Sequence, residues 1–131
     1  MIGLDTNVLI RVFIDDDPSQ TAAARKLVSG ASPGQLLISV VVLVEFVWTL
    51  RSAFRVERTM LAATLEGILT GSAFVVEDRA DVEAALQRYK TSSVDFADCL
   101  IAVRNRRLGA TRTVSFDQTA VGYALFDSLD A

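Results

Sequence analysis

Hydrophobic and polar positions fall into blocks that predict short strands separated by helices. The chain opens with an apolar run, Met1 to Leu4, which ends at Asp5 and predicts a buried strand. Apolar residues then recur at helical spacing through TNVLIRVFI. Further strands are predicted at QLLIS, AFVV and TRTVSFD, and the last of these is also expected to be buried.

Residues that start and stop helices bound the segments between these strands. One helix is expected to begin at Asp17–Pro18 and to end at Gly30, because Pro suits the first helical position and Gly the end. The others are predicted at residues 40–51, from about 56 to 69 ahead of Gly71, over DRADVEAALQRYK, and from a cap near Ser93 to Gly109, with a short helical or irregular tail after the last strand.

Short apolar strands that alternate with helices are typical of a parallel sheet covered on both faces. The predicted fold class is therefore α/β, with three α/β/α layers around a mostly parallel sheet of about four to five short strands. The length of 131 residues and the absence of a linker-like segment predict one domain, residues 1–131.

The composition excludes several classes of site. The chain has no His, which removes His-dependent acid–base catalysis, His-paired nucleophiles and His metal ligands. The single Cys99 cannot form an internal disulfide, which fits a reducing cytoplasm, and it is expected to be a small core residue. The longest apolar run, Leu36 to Leu50, is shorter than the about 20 residues that a membrane helix needs, and no signal peptide is recognisable.

Charge and hydrophobicity bear on partners. A net charge of −3 gives the whole chain no attraction to nucleic acid. The hydrophobic fraction of 51% and the mean hydropathy of +0.37 indicate either a dense core or an apolar surface that a partner covers.

Glu45 is the one charge within VVVLVEFVWTL, a run that predicts a buried helix. A buried carboxylate without a partner costs several kcal/mol. Arg51 is nearly two turns away, so it cannot form the ion pair that residues four positions apart form on a helix. Two partners for the Glu45 carboxylate stay open: an Arg from a distant part of the chain, or a divalent cation shared with other acids.

Three more carboxylates are predicted near one end of the sheet. Asp5 and Asp117 each follow a strand, where ligands bind in open α/β sheets, and Asp98 lies early in a helix. Asp5 and Asp117 are equally well explained as helix caps, and Asp95 with Asp98 resembles a capping box. If the acids converge, they repel one another, and oxygen ligands without His favour Mg²⁺ or Mn²⁺ over Zn²⁺.

The segments IGLDTNVLIR, VEFVWTL, SSVDFADCLIA and TVSFDQTA resemble the PIN domain and, within it, the VapC toxins of bacterial VapBC toxin–antitoxin pairs. The resemblance covers nearly the whole chain and implies a Mg²⁺- or Mn²⁺-dependent endoribonuclease. It implies that the catalytic and metal-binding residues are Asp5, Glu45, Asp98 and Asp117. It places Asp95, Thr6, Asn7 and Ser115 around them as weaker candidates, with Asn7 donating to Asp5 or Asp117. It also implies an RNA substrate, a cognate VapB-type antitoxin over the active-site groove, and a homodimer.

An acidic nuclease needs local cations for its RNA. The candidates for phosphate contacts are Arg11, Arg104, Arg106, Arg107 and Arg112, although each is also explained as a solvated helix residue. Two other functions stay open. One is an α/β phosphatase with Asp5 as nucleophile, although LDTN lacks the second Asp of a D-x-D pattern. The other is a non-catalytic interaction module in which the acids only cap helices.

Overall fold

A computed structural model describes residues 1–129 of the chain. Backbone contacts divide it into two compact units, unit 1 (Met1–Arg79) and unit 2 (from Ala80 onward). The strands are β1 (Ile2–Gly3), β2 (Leu36–Ile38), β3 (Phe74–Val76), β4 (Val114–Ser115) and β5 (Asp127–Ser128). The helices are α1 (Thr6–Phe13), α2 (Pro18–Ser29), α3 (Val40–Ser52), α4 (Arg58–Thr70), α5 (Arg79–Lys90), α6 (Phe96–Arg107) and α7 (Gln118–Gly122).

The strand pairing confirms the α/β class and its parallel sheet. In unit 1 the order is β1-β2-β3, and Leu36 of β2 pairs with both Ile2 and Phe74. In unit 2, β4 and β5 form a separate parallel pair, with Val114 opposite Asp127. The five strands within residues 1–129 thus lie in two parallel sheets rather than one. Because the three strands of unit 1 run in the same direction, their carboxyl ends all lie on the same side of the sheet.

Helix ends follow local sequence signals in most places. Asp17 caps α2 by accepting a hydrogen bond from Gln20 N at 3.2 Å, and the helix ends at Gly30 as predicted. The predicted cap near Ser93 is wrong, because α6 begins only at Phe96. Its cap residue is Asp95, whose backbone is extended (φ −60°, ψ 147°), so the helix cannot include the preceding residues.

The first and fourth strands are less buried than predicted. Ile2 of β1 is 41% exposed and Val114 of β4 is 44% exposed, so the expectation of buried strands is wrong for both. β1 lies at the edge of its sheet, and β4 has one partner strand, whereas the central β2 is buried at Leu36 and Ile38. Position within the sheet, and not the apolar run alone, therefore decides burial.

Helix α3 is buried on one face only, although its sequence is almost wholly apolar. Leu43, Phe46 and Leu50 are fully buried. The opposite face carries Val41 (69% exposed) and Trp48 (62% exposed). Side chains three and four positions apart share a face of a helix, so Glu45 lies on this exposed side. The prediction that Glu45 is enclosed in a buried helix is wrong.

Two expectations from composition can be compared with the structure. Cys99 is fully buried, as expected of a core residue, and its thiol lies 3.8 Å from the Val94 carbonyl oxygen. None of the helices within residues 1–129 has the length and hydrophobicity that crossing a bilayer requires.

Candidate functional site

Asp5 joins β1 to α1 and leaves its carboxylate unused by the helix. Its backbone is extended (φ −79°, ψ 158°), and its carbonyl oxygen accepts the bond from Leu9 N that begins α1. Its side chain makes no capping hydrogen bond, so the explanation of Asp5 as a side-chain cap is wrong. The carboxylate is exposed at the carboxyl end of a parallel strand, where it is accessible to a ligand.

Glu45 is held by the residue that follows Asp5. The buried Thr6 donates from Oγ1 to Glu45 Oε1 at 2.9 Å and so joins the start of α1 to the middle of α3. Within residues 1–129 Glu45 has no ion pair, so the distant Arg expected as one alternative is not its partner. Because Glu45 is exposed, water solvates its charge, and burial alone no longer requires a compensating cation.

Two other polar residues at this edge differ from expectation. Asn7 is exposed and, within residues 1–129, donates no hydrogen bond to Asp5, which was one of its two expected acceptors; donation to Asp117 stays a prediction. Glu77 follows β3 and accepts a hydrogen bond from Val40 N at 2.9 Å, which caps α3. The sequence reasoning missed Glu77; its position directly after a predicted strand was the available signal.

Asp117 in unit 2 does cap a helix. One oxygen, Oδ1, accepts from Thr119 N at 2.9 Å and from Ala120 N at 3.3 Å, at the start of α7. Ser115 Oγ accepts from Asp117 N at 2.9 Å, which brings these two predicted site residues together. The cap bonds all fall on Oδ1, so Oδ2 of the exposed carboxylate is left for another ligand.

Asp95 and Asp98 lie at the start of α6. Asp95 is the cap residue by position, yet its side chain makes no capping hydrogen bond, so the interpretation of this pair as a capping box is wrong. Asp98 lies in the first turn and is half-buried. The partial positive charge at a helix start favours a carboxylate there.

The predicted acids divide between the two units. Asp5 and Glu45 belong to unit 1, and Asp95, Asp98 and Asp117 belong to unit 2. Among residues 1–129, the Asp, Glu and Cys side chains form no group of three or more at metal-binding distances. The atoms that these residues could offer to a metal are carboxylate oxygens, with the hydroxyl of Thr6 close to Glu45 and that of Ser115 close to Asp117. Oxygen ligands of this kind suit a hard divalent cation.

The predicted phosphate-binding arginines have protein partners in several cases. Arg11 pairs with Asp16 at 3.0 Å and is 19% exposed, and Arg107 Nε contacts both oxygens of Asp81 at 2.9 and 2.7 Å. Arg112 approaches Asp127 at 3.7 Å, with both side chains largely exposed. Arg104 is half-buried within α6 and also has a partner. Arg11 and Arg107 are therefore partly committed to protein contacts.

These features define an α/β protein with acidic residues where parallel strands end and helices begin, the usual position of a ligand site in such folds. The family model of the PIN domain matches residues 2–122. The chain belongs to the PIN domain family, which confirms the resemblance seen in its motifs. It is also similar to a VapC ribonuclease from Aquifex aeolicus (strain VF5), with 26% identity over 114 residues, 86% of this chain and 84% of that protein.

Proposed function

We propose that this chain is a Mg²⁺- or Mn²⁺-dependent endoribonuclease and the toxin of a type II toxin–antitoxin pair. The observation that carries the proposal is the arrangement at the end of β1: an exposed Asp5 carboxylate that caps nothing, followed by Thr6, which fixes Glu45. Membership of the PIN domain family and similarity to a VapC ribonuclease support it.

The proposed metal ligands are Asp5, Glu45, Asp98 and Asp117, with Asp95 as a further candidate. Their oxygen donors fit Mg²⁺ or Mn²⁺, and the chain has no His to offer zinc. Such a cation supplies charge neutralisation at the phosphate and makes bound water more acidic. His is the side chain whose ordinary pKa lies near neutrality, and the chain has none, which makes a carboxylate–cation site the suitable route to hydrolysis.

The chain's own residues have distinct proposed roles. Thr6 keeps the Glu45 carboxylate in one orientation, and Ser115 fixes the backbone that presents Asp117. Asp117 keeps Oδ2 available while Oδ1 holds α7. Glu45 or Asp117 orients the attacking water, and Asp5 and Asp98 provide direct ligands. Residues that orient ligands in this way affect metal affinity by about 10- to 100-fold.

A VapB-type antitoxin is the proposed protein partner of this site. A largely apolar groove of about 370 Å³ lies between α1 and α2, lined by Val8, Ala24 and Leu27 among others. Asn7 also lines it, two residues after Asp5. An antitoxin segment seated there would lie next to the candidate acid and block RNA.

A second copy of the chain is the other proposed partner. Val41 and Trp48 on α3 and Met60 on α4 are more than half exposed and belong to the same unit. Exposed apolar residues of this size are suited to an interface that excludes water. We propose a cytoplasmic homodimer in which residues 1–131 of each chain form one nuclease domain, and the molecular mass in solution tests the dimer.

The test of the catalytic proposal is RNA cleavage with added metal. Purified protein is incubated with structured RNA in Mn²⁺ or in EDTA, beside Asp5→Asn and Glu45→Gln. Cleavage should need the metal, and each variant should lose at least about 100-fold in rate and bind Mn²⁺ more weakly. Asp15→Asn is the matched control, because Asp15 is an exposed acid outside the proposed site.

Cleavage in EDTA, or full activity in the Asp5 and Glu45 variants, contradicts the metal-nuclease proposal. Hydrolysis of a phosphate monoester that depends on Asp5 and leaves RNA intact would point to a phosphatase. Folded protein that binds no Mn²⁺ and cleaves no RNA, alone or after its antitoxin is removed, would favour an interaction module.

A further inference from the structure

Unit 2 contains a small pocket that is lined by arginines. The pocket lies farther along α6 than the acidic residues at the start of that helix. Arg88 of α5, Arg106 of α6 and Arg112 of the loop before β4 line it, together with Thr111 and Thr113. The volume is about 210 Å³, below the about 300 Å³ at which sites for drug-sized ligands begin. The pocket therefore suits a small group and not a whole nucleotide.

The charges in the pocket are only partly balanced. Arg112 faces Asp127, which also lines the pocket, at 3.7 Å, and exposures of 68% and 57% make this pair weak. Within residues 1–129 the guanidinium groups of Arg88 and Arg106 have no hydrogen bond or ion pair. Three cations against one anion leave an excess of two positive charges in a concave site of an acidic chain, which concentrates the local potential.

One helix face connects this pocket with a candidate catalytic acid. Ala102, which lines the pocket, follows Asp98 by four residues and lies one turn along the same face of α6. Arg106 follows Asp98 by eight residues, which is about 12 Å along the helix axis. A polymer that lies along this face would pass from the acid to the arginines within unit 2.

From these observations we infer that the Arg88–Arg106–Arg112 pocket binds a phosphate group of the RNA strand away from the bond that is cleaved. Guanidinium groups present paired N–H donors that match phosphate oxygens, and hydroxyl groups of Thr add further donors. Contacts of this kind hold and align a strand without reading its sequence. The inference rests on the proposed nuclease function and adds a substrate-binding subsite to it.

The test compares two double variants that each remove two positive charges. Arg88→Gln/Arg106→Gln removes the unpaired charges of the pocket, and Lys26→Gln/Arg55→Gln removes two exposed charges in unit 1. Binding of a fluorescent single-stranded RNA is measured by anisotropy over a range of salt concentrations, and cleavage is measured in parallel. Circular dichroism and urea unfolding check that all proteins fold alike.

The pocket variant should raise KM for cleavage and leave kcat nearly unchanged. Its plot of log affinity against log salt should lose about 0.7 in slope for each phosphate contact removed, equally for RNAs of different sequence. Arg88→Lys/Arg106→Lys keeps the charge and should retain most of that slope. If the Gln double variant fails to fold, the single Arg88→Gln variant replaces it, because Arg88 is exposed.

If the Arg88/Arg106 variant has the same RNA affinity and KM as the Lys26/Arg55 control, the subsite is overturned. Cleavage of RNA by the unaltered protein would still support the nuclease proposal in that case. A change in oligomeric mass without a change in RNA binding would likewise overturn the subsite, since the pocket would then receive a protein chain. Unaltered protein that neither binds nor cleaves RNA would contradict both proposals together.

Discussion

The ion pair between Arg107 and Asp81 gives a stability prediction that separates an arginine with a structural contact from its neighbour in the proposed phosphate site. Asp81 lies on α5 with only 6% of its side chain exposed, whereas the Arg107 side chain on α6 is 47% exposed. Arg107 Nε donates to both carboxylate oxygens. The two partners are therefore unequal, because one charge is buried and the other is half in water.

Removing the arginine should cost more than neutralising the acid. Arg107→Ala leaves the buried Asp81 carboxylate without these bonds. Loss of a buried ionic partner costs about 3–5 kcal/mol, and water that enters the half-open Arg site reduces this to about 2–3 kcal/mol. Asp81→Asn keeps an acceptor oxygen and leaves a guanidinium that water can solvate, so it should cost about 1 kcal/mol.

The assay is equilibrium unfolding in urea followed by far-UV circular dichroism. Arg106→Ala is the matched control, because it removes the adjacent arginine from the same last turn of α6, where the side chain has no partner within residues 1–129. It should change the free energy of unfolding by no more than about 0.5 kcal/mol. Equal losses for the Arg107 and Arg106 variants would refute this account of the pair.

Three further predictions use the same unfolding assay. Glu77→Ala removes the acceptor for Val40 N at the start of α3 and should cost about 1 kcal/mol, whereas Glu77→Gln keeps an acceptor and should cost less; equal costs would mean that the cap bond is not what stabilises α3. Gly67→Ala should stabilise α4 by about 0.5–1 kcal/mol, because the added Cβ would have no atom within 4 Å apart from the two neighbouring residues and the backbone of its own helix. Gly71→Ala should destabilise by about 1 kcal/mol or more, because its Cβ would lie 2.9 Å from Phe74 Cδ2, and a stabilising effect would contradict this contact.

Sequence patterns predicted the elements well and the capping hydrogen bonds of individual carboxylates poorly. The order of strands and helices and the ends of α2 follow from local signals such as Pro18 and Gly30, which act within a few residues. Asp5 and Asp117 have the same local context, a strand before and a helix after, yet only Asp117 caps its helix. The choice depends on the side-chain orientation at each strand end, which the local sequence does not encode.

The burial of α3 was also not predictable from the sequence. An apolar run without periodicity predicts a helix surrounded by protein, and this prediction failed at Val41, Glu45 and Trp48. Apolar residues are selected by a core and by an intermolecular interface alike, so one chain's sequence does not distinguish the two. For the exposed side of α3, the molecular mass of the protein in solution distinguishes the two: a dimer would indicate an interface.

The residues of the unit 1 sheet are all synthesised before two of the candidate acids. Leu36 must find Ile2 and Phe74 across long stretches of chain, and such nonlocal pairs form slowly. Asp98 and Asp117 follow Val76, the last residue of that sheet, by 22 and 41 residues. At about 5–20 residues per second they are added roughly 1–8 s later. A ribosome-bound chain thus carries Asp5 and Glu45 before Asp98 and Asp117. If the proposed site needs all four acids, the growing chain has no cleavage activity beside its ribosome until Asp117 has been added.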